Sequence, residues 1–525
     1  MGLYLKLGND SFQSSRNGEY VDKSGIISVI NKTLMTDMRY SCVTRCRRFG
    51  KSMAAKMLCA YYDESCDSRS LFEDLEITKD PSFEKHLNKY PVIYVDMTNL
   101  TTRNIPRTEI LPTLQSEIRY EIRENYPDAV VQEEDDLMNV LVKTALHYQI
   151  RFIMIIDEWD AICREMTDNK DEMDRYVNLL RRLFKGSNTT QVFAGVYMTG
   201  ILPIKKYKTE SALNNFIEYS MVSPRRLSKY FGFTKDEVRL LAEKHGMDFD
   251  ELVKWYDGYQ IGDQPSMFNP NSVIKAIDNC WCESYWASTG AYDAVASYIQ
   301  YNFEGLKDDI IDMLAGGRCL VNPTGFSNDI SEIKSRDDVL TVLIHLGYLA
   351  YDRVERECYI PNREVAGEME NAIRTGTWKE VVSAIDRSKN LLSDTLRCDE
   401  EAVAKGIEAV HDENTSILSY NDENSLSCVI SLAYYYARND YVVHREYPSG
   451  KGVADLVMMP RKNVSKPAII VELKKDKNPG TAIAQIKTRD YMAKVMEYTS
   501  DILLVGINYD TKTKTHSCKI ENLQL

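Results

Sequence analysis

The apolar positions of the first two hundred residues fall into short runs of strand length. Tyr40–Thr44, Val92–Val95, Phe152–Ile156 and Val192–Met198 are rich in Val, Ile and Tyr and read as buried strands. Between them lie stretches of helical spacing, such as Met53–Tyr62 and Glu109–Glu124. Strand and helix in alternation predict a parallel sheet flanked by helices, where ligands gather at the carboxyl ends of the strands. From Ser223 the pattern turns helical. Thr234-Lys-Asp-Glu237 reads as a capping box, Gly246 closes that helix, and Tyr256-Asp-Gly-Tyr259 reads as a turn between helices. Val339–Tyr351 predicts a helix running into a strand, and Arg353–Ile360 with Pro361-Asn362 a strand and turn. Near the end, Leu426–Tyr436 is helical, while Gly452–Met458 and Ile469–Lys474 read as strands.

At 525 residues the chain is too long for one ordinary core, so three or four domains are expected. Its twelve cysteines lack CxxC pairing, which favours free thiols over disulfides or zinc. No apolar run approaches the length of a membrane span and no signal peptide is evident, so a cytoplasmic protein is expected. The net charge of −13 argues against indiscriminate nucleic-acid binding. The charge is uneven, however: residues 441–525 hold 14 Lys/Arg against 9 Asp/Glu. That is a weak pointer to a polyanion-facing end, and an ordinary solvated surface explains it as well.

Two constellations carry chemistry. In the first, Gly50-Lys51-Ser52 opens a helix and offers backbone N–H groups, an ammonium and a hydroxyl to phosphate and magnesium. About a hundred residues on, the run Phe152–Ile156 ends in Asp157-Glu158, one acid for the metal and one to orient water. Arg45 stands where a phosphate loop normally has its first glycine, and Arg45, Arg47 and Arg48 are read as guanidinium groups around the loop. Trp159 is expected to pack, and Asp160 to cap a helix or lie on the surface.

The second constellation is Glu423, Asp455, Glu472 and Lys474. Residues two apart on a strand share a face, so Glu472 and Lys474 point the same way. An Asp and a Glu on adjoining strands can hold a hard cation that brings hydroxide to a phosphodiester, with the ammonium steadying negative charge. The plainer explanation is a Glu472–Lys474 surface pair on an edge strand. A lone His444 before a strand is more often structural than a general base.

Arg47-Arg48-Phe49-Gly50-Lys51-Ser52, Asp157-Glu-Trp-Asp160 and Thr199-Gly200 resemble the predicted AAA-type ATPase family of bacteria and archaea. So do Tyr20-Val-Asp-Lys23, Tyr230-Phe-Gly-Phe-Thr234 and Trp255-Tyr-Asp-Gly-Tyr259. The resemblance implies that Arg48, Gly50, Lys51 and Ser52 hold ATP and that Ser52 and Asp157 hold Mg2+. It also implies that Glu158 activates water, that Thr199 senses the γ-phosphate, and that Arg225 or Arg226 is a lid arginine. The C-terminal acids and Lys474 resemble the PD-(D/E)XK nuclease superfamily, with Ala454 where that name has proline. This implies Asp455, Glu472 and Lys474 as catalytic residues, with Glu423, Asp455 and Glu472 on a metal. Gln485 and Tyr491 match its auxiliary residues.

The fold expected is α/β: an ATPase core at 1–205, a helical lid at 206–290, a helical or winged-helix connector at 291–400 and a restriction-endonuclease-like domain at 401–525. The expected function is an ATPase coupled to a magnesium-dependent nuclease acting on DNA, with a homo-oligomer or protein partner left open. The alternatives are a nucleotide-dependent switch, or a remodeller whose C-terminal domain binds nucleic acid or a partner without cutting.

Overall fold

The four apolar runs of the first third, joined by Ile217–Tyr219, form one five-stranded parallel sheet. In chain order its strands are β1 (Tyr40–Thr44), β2 (Val92–Asp96), β3 (Phe152–Asp157), β4 (Phe193–Gly200) and β5 (Ile217–Tyr219), arranged β2-β3-β4-β1-β5. The computed structural model describes residues 2–524 apart from 166–168, 205, 208, 209, 212, 287–296, 302, 315, 331, 376, 377, 415–429, 431, 450, 451, 462, 463, 489–494 and 497.

β3 shows why these runs are apolar throughout. Phe152, Met154 and Ile156 enter the core on one face, with the helices Ile110–Asn125, Leu137–Tyr148 and Lys170–Phe184. Ile153 and Ile155 enter the core on the other, with Ala55, Leu58 and Tyr62 of helix α1 (Lys51–Tyr62). A strand covered on both faces has no solvent side to keep polar. The exceptions cluster at the carboxyl ends, where Asp96 and Asp157 are register partners and Val43 pairs with Thr199. This is the edge where the β1–α1 loop also lies.

The chain divides into two compact units. The first holds residues 1–285, 321–356 and 361–364; the second holds 286–320, 357–360 and 365–525. Within the first unit, a three-stranded antiparallel sheet (Phe233–Thr234, Tyr259–Ile261, Gln264–Phe268) packs with helices Lys235–His245, Phe249–Tyr256 and Pro270–Asn279. Thr234 and Glu237 form the reciprocal capping box, and Gly246 ends that helix in a left-handed conformation. Tyr256-Asp-Gly-Tyr259 leads from a helix into a strand, not into another helix as the sequence suggested. Gly258 has φ +106°, and a Cβ there would sit 2.0 Å from the carbonyl oxygen of Pro361, so the backbone of Pro361 closes the site to any side chain.

The second unit is built on a mixed sheet of β6 (Tyr441–Ser449), β7 (Gly452–Pro460), β8 (Ala468–Lys475), β9 (Asp501–Asp510) and β10 (Thr515–Gln524), in that order. Only β8 and β9 run parallel, and helix α2 (Pro479–Thr488) lies between them in sequence, as a parallel connection requires. Ile483 and Ile486 of α2 pack on Val457, Ile470 and Leu504. β8 is a central strand, so its polar residues do not sit on an edge. Among the described residues every cysteine is a free thiol, and no helix is long and apolar enough to cross a membrane.

Candidate functional site

The first site is the turn from β1 into α1. Arg48 (φ +68°) and Gly50 (φ +86°) are both left-handed and fold the loop back on itself. No side chain caps α1, so the N–H groups of its first turn, which no helix satisfies internally, remain available. A Cβ on Gly50 would meet nothing within 4 Å, which shows open space beside the loop. The Lys51 side chain is buried; its Nζ donates to the Cys46 carbonyl at 3.1 Å and lies 3.6 Å from Glu158 Oε1. Ser52 follows, half-buried, in the first turn.

Asp157 is only 2% exposed and its carboxylate is held from both sides. The Thr199 hydroxyl donates to Oδ1, and the Tyr94 hydroxyl donates to Oδ2 at 3.2 Å. Burial and the neighbouring Asp157 and Asp96 carboxylates push the Tyr94 phenol well above its usual range, which keeps it a donor. Glu158 has φ +51°, and its backbone N–H donates to Asp157 Oδ1 and to Thr199 Oγ1. Its side chain lies between two cations, since Oε2 also accepts from Arg164 Nη2 at 2.6 Å. Arg164 is anchored in turn by Asp160, 3.0 Å from its Nε.

Asp160 is fully buried, contrary to a surface position. It precedes helix Ala161–Glu165, yet its carboxylate accepts the backbone N–H groups of Ile201 and Leu202, fastening the chain after β4. Trp159 packs in the core with its indole N–H on the Leu202 carbonyl. Tyr94 and Arg164 were not singled out from the sequence. Two signals pointed to them: Tyr94 is two residues before the acid that ends β2, and Arg164 is one helical turn past Asp160.

Arg45 is the correction. Its guanidinium is fully buried, donates to the carbonyls of Thr44 and Tyr219, and lies over the Phe231 ring. Burial lowers its pKa to about 10. It braces β1 against the end of β5 and is not turned to a phosphate. The following residues join the loop to the helical region of the same unit. Phe49 packs edge-on against Tyr259, its carbonyl accepts the Gly232 N–H, and Arg48 Nη1 donates to the Tyr285 carbonyl at 2.5 Å. Arg225 and Arg226 are exposed, and Arg226 donates to the Tyr219 hydroxyl at 3.2 Å.

The second site lies on β7 and β8. One step beyond the ladder pair Leu456–Val471, Asp455 and Glu472 come next in register on adjacent strands. Asp455 Oδ2 accepts the Leu473 N–H at 2.7 Å, which ties it to β8. Glu472 is 2% exposed; Lys474 Nζ is 2.9 Å from its Oε1, and Gln485 on α2 donates to the same oxygen. Polar groups from two adjacent strands and a helix thus meet beside one sheet, with Glu472 and Lys474 on a central strand and not in a surface ion pair. Glu423 and Tyr491 lie outside the described residues. Among the described residues no group of three His, Cys, Asp or Glu side chains is placed to hold a metal. Two carboxylate oxygen donors still suit a hard cation that keeps several waters.

The geometry defines the class: a phosphate-loop α/β nucleotide core on a five-stranded parallel sheet, followed by a mixed-sheet domain of restriction-endonuclease type. Comparison with known families agrees. The chain carries a domain of the family described as "Predicted AAA-ATPase" over residues 6–209, and one of the PD-(D/E)XK nuclease superfamily over residues 421–518. It is 23% identical over 401 residues to an "Uncharacterized protein in vnfD 5'region" of Azotobacter chroococcum mcd 1, covering 70% of this chain and 69% of that one. Among solved structures it is similar to the Aeropyrum pernix ORC2 protein in ADPNP–ADP complexes (13% identity, 71% of this chain and 99% of that one, TM-score 0.30). It is also similar to the Aeropyrum pernix ORC1 protein in complex with DNA (11% identity, 84% and 91%, TM-score 0.20).

Proposed function

We propose that this protein is an ATPase whose nucleotide cycle controls a magnesium-dependent nuclease acting on DNA. What carries the nucleotide half is the convergence of Lys51, Asp157, Glu158 and Thr199 at one sheet edge beside an uncapped helix N-terminus. ATP supplies the phosphoanhydride to be broken, and Mg2+ neutralises its charge. Gly50, Lys51 and Ser52 bind the phosphates through backbone N–H, ammonium and hydroxyl. Asp157, oriented by Tyr94 and Thr199, would hold the metal with Ser52, and Glu158 takes the proton of the attacking water once Lys51 turns to phosphate.

The nuclease half rests on the meeting of Asp455, Glu472, Lys474 and Gln485. Asp455 and Glu472, with Glu423 as a further acid, would hold Mg2+, which supplies hydroxide near neutral pH. Lys474 is placed to steady negative charge on the phosphate oxygens. Gln485 orients Glu472.

The test is cleavage of plasmid and single-stranded DNA by the purified protein with ATP and Mg2+. Cutting should be lost in Asp455→Ala and in Lys474→Ala while ATP hydrolysis persists. Cutting by both variants at the parent rate removes the nuclease. DNA bound but left uncut by the parent protein assigns the domain to recognition instead.

A further inference from the structure

The phosphate loop is joined to the places where the chain leaves the first unit. Tyr285 and Glu364 are the last residues of that unit at two of the crossings into the second. They are bonded to each other, since the Tyr285 N–H donates to Glu364 Oε1 at 2.8 Å. Glu364 is 1% exposed, and its carboxylate also takes the Ser272 hydroxyl, at 2.8 and 3.0 Å. The other face of the Tyr285 backbone meets the loop: its carbonyl accepts Arg48 Nη1 at 2.5 Å. A single peptide segment is therefore gripped by an anion from one side and by the loop cation from the other.

The approach of Glu364 is built with equal care. Pro361 closes over Gly258, Asn362 donates to the Asp257 carbonyl at 2.8 Å, and the Arg363 guanidinium stacks over Trp255 at 4.4 Å. These contacts use Trp255, Asp257 and Gly258 to seat Pro361, Asn362 and Arg363 of the returning chain. A buried carboxylate left without partners is expensive, and the Tyr285 N–H and the Ser272 hydroxyl both help to satisfy this one.

Arg48 is the loop cation of this grip. It stands in the loop two residues before Gly50, within the segment that would face a nucleotide's phosphates, and a phosphate is a stronger bidentate partner than one carbonyl. We infer that Arg48, Tyr285 and Glu364 form a nucleotide-sensing latch: phosphate draws Arg48 off the Tyr285 carbonyl and loosens the Tyr285–Glu364 bond where the chain leaves the first unit. Glu364 is then a positioning residue, acting on the loop through Tyr285. This rests on the nucleotide reading above and adds to it the path by which the bound state is passed on.

Hydrogen–deuterium exchange of peptides covering Tyr285 tests the latch in the full-length protein, with and without ATPγS and Mg2+. Nucleotide binding is measured on the same samples with a fluorescent analogue. In the parent protein the Tyr285 amide should exchange slowly alone and at least ~10-fold faster with nucleotide, as expected when a protecting hydrogen bond opens. Glu364→Gln, which weakens the charged acceptor, should give fast exchange in both states. Nucleotide that binds and leaves Tyr285 equally protected overturns the latch and spares the ATPase. Failure to bind nucleotide at all overturns both.

Discussion

The ammonium of Lys51 lies 3.6 Å from Glu158, so the cation proposed to bind phosphate and the acid proposed to activate water neutralise one another. Glu158 is shared further with Arg164. Under the proposed function, nucleotide would have to win Lys51 from this pair before the acid is released, which would tie hydrolysis to occupancy.

Two substitutions separate binding from hydrolysis. Lys51→Ala removes the cation and should abolish both nucleotide binding and turnover. Glu158→Gln keeps the shape and should bind ATP normally while hydrolysis falls by about 10²- to 10⁴-fold, the usual worth of a general base. Steady-state phosphate release beside equilibrium binding distinguishes them; equal losses of binding in both variants would count against the assignment of Glu158.

Gly258→Ala should be among the most damaging small changes in the first unit. The residue is left-handed, and the new methyl would overlap the Pro361 carbonyl. Strain and displacement together should cost about 3 kcal/mol or more, read as a lowered thermal midpoint.

Gln485 donates to Glu472 Oε1, one of the two acids proposed to hold the metal. Gln485→Leu should therefore leave the fold intact and reduce DNA cleavage by about 10- to 100-fold, the usual cost of losing a residue that orients a ligand. Raised magnesium should recover part of the loss. ATP hydrolysis should not change.

His516 and His411 share a hydrogen bond of 2.8 Å between helix Glu400–Asn414 and β10. Burial, with His411 beside it, lowers the His516 pKa from 6.5 to about 3. The unfolded chain thus binds more protons than the folded one between those values. This contribution is complete above about pH 6.5 and is lost as pH falls towards 3. It should remove about 3 kcal/mol between pH 7 and 4. His516→Gln, which keeps a hydrogen-bonding side chain but does not titrate, should flatten the decline of the unfolding midpoint over that range.

Much of this architecture was legible in the chain because its signals are local. A strand buried on both faces needs an unbroken apolar run, so β1, β2 and β3 announced themselves, as did the capping box at Thr234 and the acid-x-lysine pair on β8. Alternation of strand and helix settled the parallel sheet. Arg45 departs from its sequence pattern for the opposite reason. Its neighbours in sequence are loop cations, and only the β5 strand, some 170 residues away, shows that its partner is the Tyr219 carbonyl.

Periodicity and spacing placed the apolar runs of β1 to β4 and the acid two residues before Lys474, because both are properties of neighbours in the chain. Tertiary structure alone decided that Tyr94 and Thr199 share Asp157, that Gln485 reaches Glu472, and that Arg48 and Glu364 meet at Tyr285. Those contacts join positions from 13 to 237 residues apart. They depend on sheet order and chain crossings, which no local pattern encodes.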